Sequence, residues 1–197
     1  MTGSSRPAAH DTGGLKGKVL AAAARLIAAQ GAEAPSLRAI ADAAGIGLAS
    51  IYHYFASKEE LLLCLAIEGF DDLRGDILRL QADPELTPMQ GGHRAFLTFV
   101  QDRPALFSLM FSERLMARHA ELREADRQTF LAYQSAVHAD PRVPAPYKEK
   151  AALAIWALGR GMAAMISSQP DGKLPDEMAE TLFAGAGYLI NGPVSQT

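Results

Sequence analysis

The chain has 197 residues, of which 49% are hydrophobic and 21% are charged, and its formal net charge is −3. This length and balance fit a folded protein of one or two domains with a substantial core, and they exclude a largely disordered chain. The single cysteine excludes an internal disulfide. No secretion signal and no apolar run of about 18 residues occurs, so we expect a cytoplasmic protein with no membrane partner.

The charge is distributed unevenly along the chain. Residues 1–58 carry six Lys or Arg against three Asp or Glu, whereas residues 59–197 carry thirteen against nineteen. A basic amino-terminal part attracts phosphates, and an acidic remainder is repelled by them. The asymmetry is modest, but it favours an amino-terminal site for a polyanion.

The first residues differ in composition from the rest. Residues 1–14 are rich in Gly, Ser, Thr, Pro and Ala and show no apolar period, which predicts a disordered arm. From Leu15 apolar residues recur at helical spacing as far as Gly31, which predicts the first helix and its carboxyl end. This helix is expected to brace the two that follow.

Residues 36–55 predict two short helices joined by a tight turn. In the first helix, Leu37 and Ile40 begin an i, i+3, i+4, i+7 apolar pattern that can be buried on one face. Gly45 ends this pattern, because glycine adopts a positive φ at little cost and so allows a sharp turn. Ile51 starts the buried stripe of the second helix.

The second of these helices is too short to be stable alone, since isolated helices below about 12 residues are marginal in water. Its apolar side must therefore pack against neighbouring helices, which leaves the other side exposed. Small, hydroxyl and hydrogen-bonding groups on an exposed helix face fit the major groove of DNA. This exposed side carries Leu48, Ala49, Ser50, Tyr52 and His53.

The segment from about Leu15 to Phe70 resembles the DNA-binding domain of the tetracycline-repressor (TetR) family of bacterial transcription regulators. The resemblance rests chiefly on Ser36-Leu37-Arg38-Ala39-Ile40-Ala41, Ala43-Ala44-Gly45-Ile46, Ile51-Tyr52-His53-Tyr54-Phe55 and Ser57-Lys58-Glu59-Glu60-Leu61. It implies that Ser36, Tyr52, His53 and Lys58 contact phosphates. It also implies that Arg38, Gly47, Leu48, Ala49 and Ser50 lie near base edges. Tyr54 is expected to be mostly structural.

Two positions depart from the family pattern. Family members usually carry Ser or Thr where this chain has Gly47, and a polar or basic residue where it has Leu48. Gly47 lacks a hydroxyl that would cap the recognition helix, a loss of roughly a few tenths of a kcal/mol for glycine. Leu48 replaces a hydrogen-bonding side chain with an apolar one. The departures leave a second hypothesis open: a protein-interaction module that keeps the fold without specific DNA binding.

A long helix is predicted directly after this segment. Ser57 and Glu60 form a Ser-x-x-Glu capping box, and apolar residues then recur at helical spacing for about six turns. A helix of that length can connect two domains, so we place a DNA-binding domain at 15–60 and a ligand-binding and dimerisation domain at 61–197. Within the helix, Cys64 is expected to be a buried small side chain rather than a redox switch.

Prolines and glycines divide the rest of the chain. Pro84, Pro88 and the Gly91-Gly92 pair predict a connection, and Pro104 predicts a break between two helices. The predicted helices cover about 94–102, 105–111, 113–138, 147–169 and 176–191.

The last two predicted helices contain glycines within the helical pattern. Each glycine costs about 1 kcal/mol relative to Ala, a cost that a close helix–helix approach offsets. Following the family resemblance, we expect these two helices to pair with those of a second copy in a homodimer. Packing of the small residues within one subunit is the alternative. The glycines are Gly159, Gly161, Gly185 and Gly187.

The second domain also gathers aromatic and methionine residues that can line an apolar effector pocket. Such residues at helical spacing are more often core. Residues 155–161 resemble a Trp-x-x-x-His-Gly signature of one TetR subgroup, with Arg160 at the histidine position; His119 and His138 are further candidate anchors. The predicted effector-binding residues are Phe99, Phe107, Met110, Phe111, Phe130, Tyr133, Trp156 and Arg160.

No P-loop, zinc-peptidase or nucleophile-elbow motif occurs, and the histidines lack metal-ligand spacing, so we expect no catalytic residue, metal or cofactor. The resemblance implies an all-α homodimer with an N-terminal three-helix helix-turn-helix DNA-binding domain and a C-terminal helical ligand-binding and dimerisation domain. Its function would be repression at a palindromic double-stranded DNA operator, relieved by a small, largely apolar effector. An enzyme that uses the same helical pocket is the remaining alternative, and it would require measurable turnover.

Overall fold

The computed structural model describes residues 14–30, 35–169 and 174–191. Within these ranges the regular structure is α-helical, apart from one 3-10 turn at Ala145–Tyr147, so the predicted all-α class is confirmed. The predicted arm up to residue 13 and the predicted stop at Gly31 lie outside the described residues. The helices are α1 (Leu15–Gln30), α2 (Leu37–Ala44), α3 (Leu48–Tyr54), α4 (Lys58–Gln81), α5 (Pro88–Asp102), α6 (Pro104–Met110), α7 (Glu113–Arg118), α8 (Ala120–Ala139), α9 (Lys148–Ser167) and α10 (Asp176–Asn191).

The first three helices form a small unit around a shared apolar centre. Gly14, the last residue of the predicted arm, directly precedes α1, and its carbonyl accepts a hydrogen bond from the Lys18 N–H at 3.1 Å. The inward faces of α1, α2 and α3 are buried as their spacing predicts. The side chains that fill this centre are Val19, Ala22, Ala23, Ile27, Ile40, Ala41, Ile51 and Phe55.

Helix α4 connects this unit to the rest of the molecule. It has 24 residues and therefore extends for about 36 Å. Its buried stripe runs from Leu61 to Ile77, and it packs against α1, α5, α6 and α8. The long connecting helix that the apolar period predicts is thus confirmed.

The Gly91-Gly92 pair lies inside a helix, so the connection predicted there is wrong. Helix α5 begins earlier, because Thr87 caps it and Pro88 occupies its first position, where a missing N–H costs nothing. Gly91 is required for packing: a Cβ at this position would lie 2.0 Å from the Leu80 carbonyl oxygen. The glycine thus brings the start of α5 against the end of α4.

The single helix predicted over 113–138 is two helices. The break falls at His119, whose φ of −117° and ψ of 109° are extended. No glycine or proline marks this position in the sequence. The His119 ring instead makes a contact with Glu59 of α4, a tertiary interaction that helical periodicity does not reveal.

The glycines of α9 and α10 have different surroundings. A Cβ at Gly159 would lie 2.2 Å from Cζ of Phe96 in the same chain, so for this glycine the expectation of intermolecular packing is wrong. At Gly161 and Gly185 an added Cβ would meet nothing within 4 Å. Gly161 and Gly185 thus leave room for another molecule, and the surroundings of Gly187 lie outside the described residues.

None of the helices in the described part of the chain has both the length and the apolar character needed to cross a bilayer.

Candidate nucleic-acid interface and effector site

The turn between α2 and α3 is built by local sequence. The Ser36 hydroxyl caps α2 by accepting a hydrogen bond from the Ala39 N–H at 3.1 Å. Gly45 ends α2 in the left-handed region, with φ 68° and ψ 35°, and its N–H bonds to the carbonyls of Ala41 and Asp42. The glycine geometry assumed from the sequence is therefore confirmed, and it turns the chain into α3.

The two sides of helix α3 differ sharply in their exposure to solvent. Ile51 is fully buried and Phe55, which ends the helix, is 1% exposed, whereas the Tyr52 side chain is 54% exposed. His53 is also exposed, and its ring makes a T-shaped contact with Tyr54 at a centroid distance of 5.4 Å. Because the buried side anchors the helix, the opposite side is held rigidly towards solvent.

Most residues predicted to contact DNA are exposed to solvent. Leu48, Ser50 and Lys58 are partly buried, and Leu48 packs partly against the core. Tyr54, expected to be mostly structural, is 39% exposed, because α3 ends there and only Phe55 turns inward. The exposed members of the predicted set are Ser36, Arg38, Gly47, Ala49, Tyr52 and His53.

The amino end of α3 has no side-chain cap. Gly47 occupies the N-cap position with φ −73° and ψ 145°, and no side-chain hydrogen bond is made there. The first backbone N–H groups of α3 are thus not satisfied by a capping side chain. Such groups can donate to an anionic ligand.

The start of α4 lies directly after α3. The Ser57 hydroxyl accepts a hydrogen bond from the Glu60 N–H at 3.1 Å, as the capping box predicts. The reciprocal bond differs from the prediction: the Glu60 carboxylate accepts from the Ala56 N–H at 2.7 Å, one residue earlier than the capping-box pattern. This clamp fixes the short link between the two helices, with Lys58 as the first residue of α4.

The predicted effector residues come together around one ring. The ring centroids of Phe111, Phe130 and Tyr133 lie 5.7 to 6.2 Å from that of Trp156. Phe107 extends this aromatic cluster, since its centroid is 5.0 Å from that of Phe111. Phe99 lies behind Phe107 at 6.5 Å, and Met110 is buried beside Gly69 of α4.

One edge of the cluster is polar. The Asp126 carboxylate accepts hydrogen bonds from the Trp156 indole N–H at 3.1 Å and from the Arg160 guanidinium at 2.9 Å. Burial raises the pKa of Asp126, and Arg160 and Trp156 oppose that shift by stabilising the charged form. The Arg160 guanidinium also lies over the Phe111 ring, 5.3 Å from its centroid.

Among the described residues of this domain, two buried side chains have polar atoms without a hydrogen-bond partner. They are the Tyr133 hydroxyl and both ring nitrogens of His93, a residue absent from the sequence-based set. Burial lowers the pKa of His93 to about 4, so the ring is neutral at pH 7. An unpartnered buried polar group costs about 1–3 kcal/mol, and functional sites are one place where such a cost persists.

The other two candidate anchors lie elsewhere. His119 contacts Glu59, and His138 is exposed on α8. A separate open cleft of about 810 Å³ lies between α1, α4 and α6, where Cys64 and Tyr54 are part of its wall. Burial raises the pKa of the Cys64 thiol, and the side chain is only partly buried, less so than expected, because it borders this cleft.

Two short helices at a glycine turn, braced by α1 and joined through α4 to a helical domain, define a helix-turn-helix protein. A family model described as bacterial regulatory proteins of the tetR family matches residues 19–65. A second model, a tetracyclin repressor-like C-terminal domain, matches residues 90–185. The chain belongs to the tetracycline-repressor family, which consists of transcriptional regulators rather than enzymes. Assignment to the Trp-x-x-x-His-Gly subgroup stays a prediction.

Curated relatives match a shorter part of the chain. A stretch of 72 residues is 44% identical to the HTH-type transcriptional repressor KstR2 of Rhodococcus jostii and covers 35% of each chain. A stretch of 57 residues is 49% identical to KstR2 of Mycobacterium tuberculosis and covers 29% of this chain and 28% of that one. The matched part thus spans about a third of the length of these relatives.

Solved structures resemble the whole fold. A TetR transcriptional regulator from Legionella pneumophila superposes with a TM-score of 0.69 at 17% identity, covering 96% of this chain and all of that one (100%). A transcriptional regulator from Rhodococcus sp. Rha1 gives a TM-score of 0.66 at 20% identity, covering 90% and 96% of the two chains. At this identity the likeness shows the fold alone.

Proposed function

We propose that this protein is a DNA-binding transcriptional repressor that binds a palindromic operator as a homodimer and is released by a small, largely apolar effector. The observation that carries the proposal is the two-sided α3, with Ile51 fully buried beneath it and Tyr52 54% exposed on top. Membership of a family of bacterial regulators supports a site of action on DNA in the cytoplasm.

The accessible groups divide into two kinds of DNA contact. Ser36, Tyr52, His53 and Lys58 offer hydrogen-bond donors to phosphates, which give affinity without sequence choice. The residues proposed to lie at base edges are Arg38, Gly47, Leu48, Ala49 and Ser50. Arg38 and Ser50 can hydrogen-bond to bases, and Leu48 and Ala49 can touch a thymine methyl.

The dimer is proposed to form through α9 and α10. Large apolar side chains are exposed on both helices: Leu153 is 63%, Met165 is 38% and Met178 is 41% exposed. Gly161 and Gly185 add small positions with open space above them, where a partner helix can approach closely. In the dimer, two copies of α3 must lie about 34–36 Å apart, or at a multiple of one DNA turn, to enter successive major grooves.

The effector is proposed to bind at the aromatic cluster around Trp156. Its rings offer an apolar surface, and the unpartnered Tyr133 hydroxyl offers a hydrogen-bonding group. An uncharged molecule with an apolar body and a hydroxyl or carbonyl group matches this combination. If the effector binds one arrangement of the two domains more tightly than the other, it would change operator affinity about 5- to 150-fold.

DNA binding is tested by selecting bound sequences from a random pool of duplexes. The proposal expects a palindrome, which reports sequence choice and the dimer together. Lys58→Ala should then weaken binding to all sequences and reduce the slope of log affinity against log salt by about one. Recovery of no preferred sequence would favour the protein-interaction module that Gly47 and Leu48 suggest.

Effector binding is tested by a thermal-shift screen of small uncharged molecules, followed by calorimetry with and without operator. Operator and effector must weaken each other by the same factor, because binding coupling is reciprocal. Tyr133→Phe should lower affinity for the effector without lowering stability, since it removes a buried hydroxyl that has no partner. An unchanged affinity in this variant would exclude the hydroxyl from the site.

A further inference from the structure

Three side chains connect the DNA-binding end of α4 to the break between α7 and α8. The Glu59 carboxylate lies 3.1 Å from Nε2 of His119 and 3.3 Å from a guanidinium nitrogen of Arg118. Glu59 precedes these partners in the chain by 59 and 60 residues, so the contact is tertiary. We call Glu59, Arg118 and His119 the clasp.

The clasp occupies a position close to the proposed DNA interface. Glu59 immediately follows Lys58 in the first turn of α4, and the Glu60 carboxylate holds the link to α3 through the Ala56 N–H. On the other side, His119 is the residue at which the chain leaves α7 and enters α8. Helix α8 in turn carries Asp126, Phe130 and Tyr133 of the proposed effector site. The Glu59–His119 pair therefore joins the start of α4, next to the proposed DNA interface, to the start of α8, which carries residues of the proposed effector site.

Two members of the clasp are partly shielded from water, whereas the Arg118 side chain is 63% exposed. The side chains of Glu59 and His119 are 28% and 23% exposed, less than either partner of the Glu124–Arg127 pair on α8, at 53% and 55%. The hydrogen bond from His119 lowers the pKa of Glu59, partial burial opposes the shift, and Arg118 reinforces it. On the far side of the His119 ring, Glu121 lies 3.5 Å from Nδ1. A partly shielded carboxylate held by a guanidinium and by a hydrogen-bonding ring resists screening better than an isolated surface pair.

We propose that the clasp is a positioning device that holds the start of α4, and with it α3, in a set orientation relative to the second domain. The inference rests on the proposed function, because orientation matters only if α3 must meet a second half-site. In the dimer, the clasp then makes operator binding sensitive to half-site spacing. Without it, the DNA-binding unit turns more freely and accepts operators of the wrong length.

The test compares two duplexes: the selected operator, and the same operator with two base pairs inserted at its centre. The measured ratio is the affinity for the selected operator divided by the affinity for the lengthened one. This ratio should be about fivefold lower in Glu59→Gln and in His119→Gln than in the wild type. The double variant should show no greater loss than Glu59→Gln alone, since that variant already weakens the contacts of Glu59 with both His119 and Arg118. The exchanged pair, Glu59→His with His119→Glu, should restore the ratio. Melting temperatures of all variants check that they are folded.

Glu124→Gln is the matched control, because it removes the ion pair between Glu124 and Arg127 on the water-exposed side of α8. It should leave the affinity ratio unchanged. An unchanged ratio in Glu59→Gln, additive losses in the double variant, or an equal loss in the control would overturn the clasp. A wild-type protein that selects no duplex would instead overturn the proposed function.

Hydrogen exchange on the free protein tests the clasp independently of DNA. Glu59→Gln should raise exchange both in the first turn of α4 and in residues 112–122, whereas Glu124→Gln should raise it in neither segment. Exchange that is unchanged in both segments of Glu59→Gln would overturn the proposal even if no operator is found.

Discussion

The recognition unit and the second domain use their side chains in opposite ways. In α1–α3 the buried apolar residues only support the structure, and the groups proposed to act, such as Tyr52, are on the outside. In the second domain the groups proposed to act, such as Tyr133 and Trp156, are inside, among the residues that stabilise the fold. A surface site can therefore change without loss of stability, whereas a buried site ties function to packing.

Glycines show the largest expected contrast. Gly91→Ala should lower the free energy of unfolding by about 3 kcal/mol, because the added Cβ would lie 2.0 Å from the Leu80 carbonyl oxygen and both helices must move. Gly75→Ala on the exposed side of α4, where a Cβ meets nothing within 4 Å, should raise it by about 0.5–1 kcal/mol. Urea denaturation of both variants measures the difference; equal effects would mean that α4 and α5 are not closely packed.

The two sides of α3 provide the next contrast. Ile51→Ala should lower the free energy of unfolding by about 2–5 kcal/mol, because it opens a cavity beneath the helix. Tyr52→Ala should change stability by less than about 0.5 kcal/mol yet weaken operator binding. Denaturation and a DNA-binding titration on the same samples separate the two effects. A marked loss of stability in Tyr52→Ala would contradict the division of α3 into a structural and a functional side.

His93 makes the second domain sensitive to acid. Its folded-state pKa is about 4, below the ordinary value of 6.5, so between these values the unfolded chain binds a proton that the folded chain does not. Stability is therefore complete above pH 6.5 and falls towards pH 4, by up to about 3 kcal/mol. The difference in unfolding free energy between wild type and His93→Leu should change across this range, whereas exposed His138→Gln should track wild type. Parallel curves for wild type and His93→Leu would mean that the ring is accessible to water.

The smallest expected effect concerns the uncapped end of α3. Gly47→Ser should raise the free energy of unfolding by roughly a few tenths of a kcal/mol, because a serine hydroxyl can accept from the first turn of α3 and the new Cβ meets nothing within 4 Å. Ser36→Ala, which removes the existing cap of α2, should lower it by about 1 kcal/mol. Thermal unfolding of the pair measures both. A destabilised Gly47→Ser would mean that the N-cap geometry of α3 does not admit a side chain.

What could be predicted from the amino-acid sequence follows from short-range rules. The helical class, the glycine turn at Gly45, the cap at Ser57 and the length of α4 depend on residues a few positions apart, whose spacing is visible in the sequence. The same is true of α3, because Ile51 and Tyr52 are neighbours that must point to opposite sides of one helix.

Only the tertiary structure decided the remaining features. In the sequence Gly91 resembles a loop residue, and only the structure shows that it lies against the Leu80 backbone. The helix break at His119 lies beside Glu59, which is 60 residues away in the chain. The unpartnered state of His93 and Tyr133 likewise depends on every helix packed around them. Steric fit and desolvation arise between residues distant in the chain, and helical periodicity carries no information about which distant residues meet.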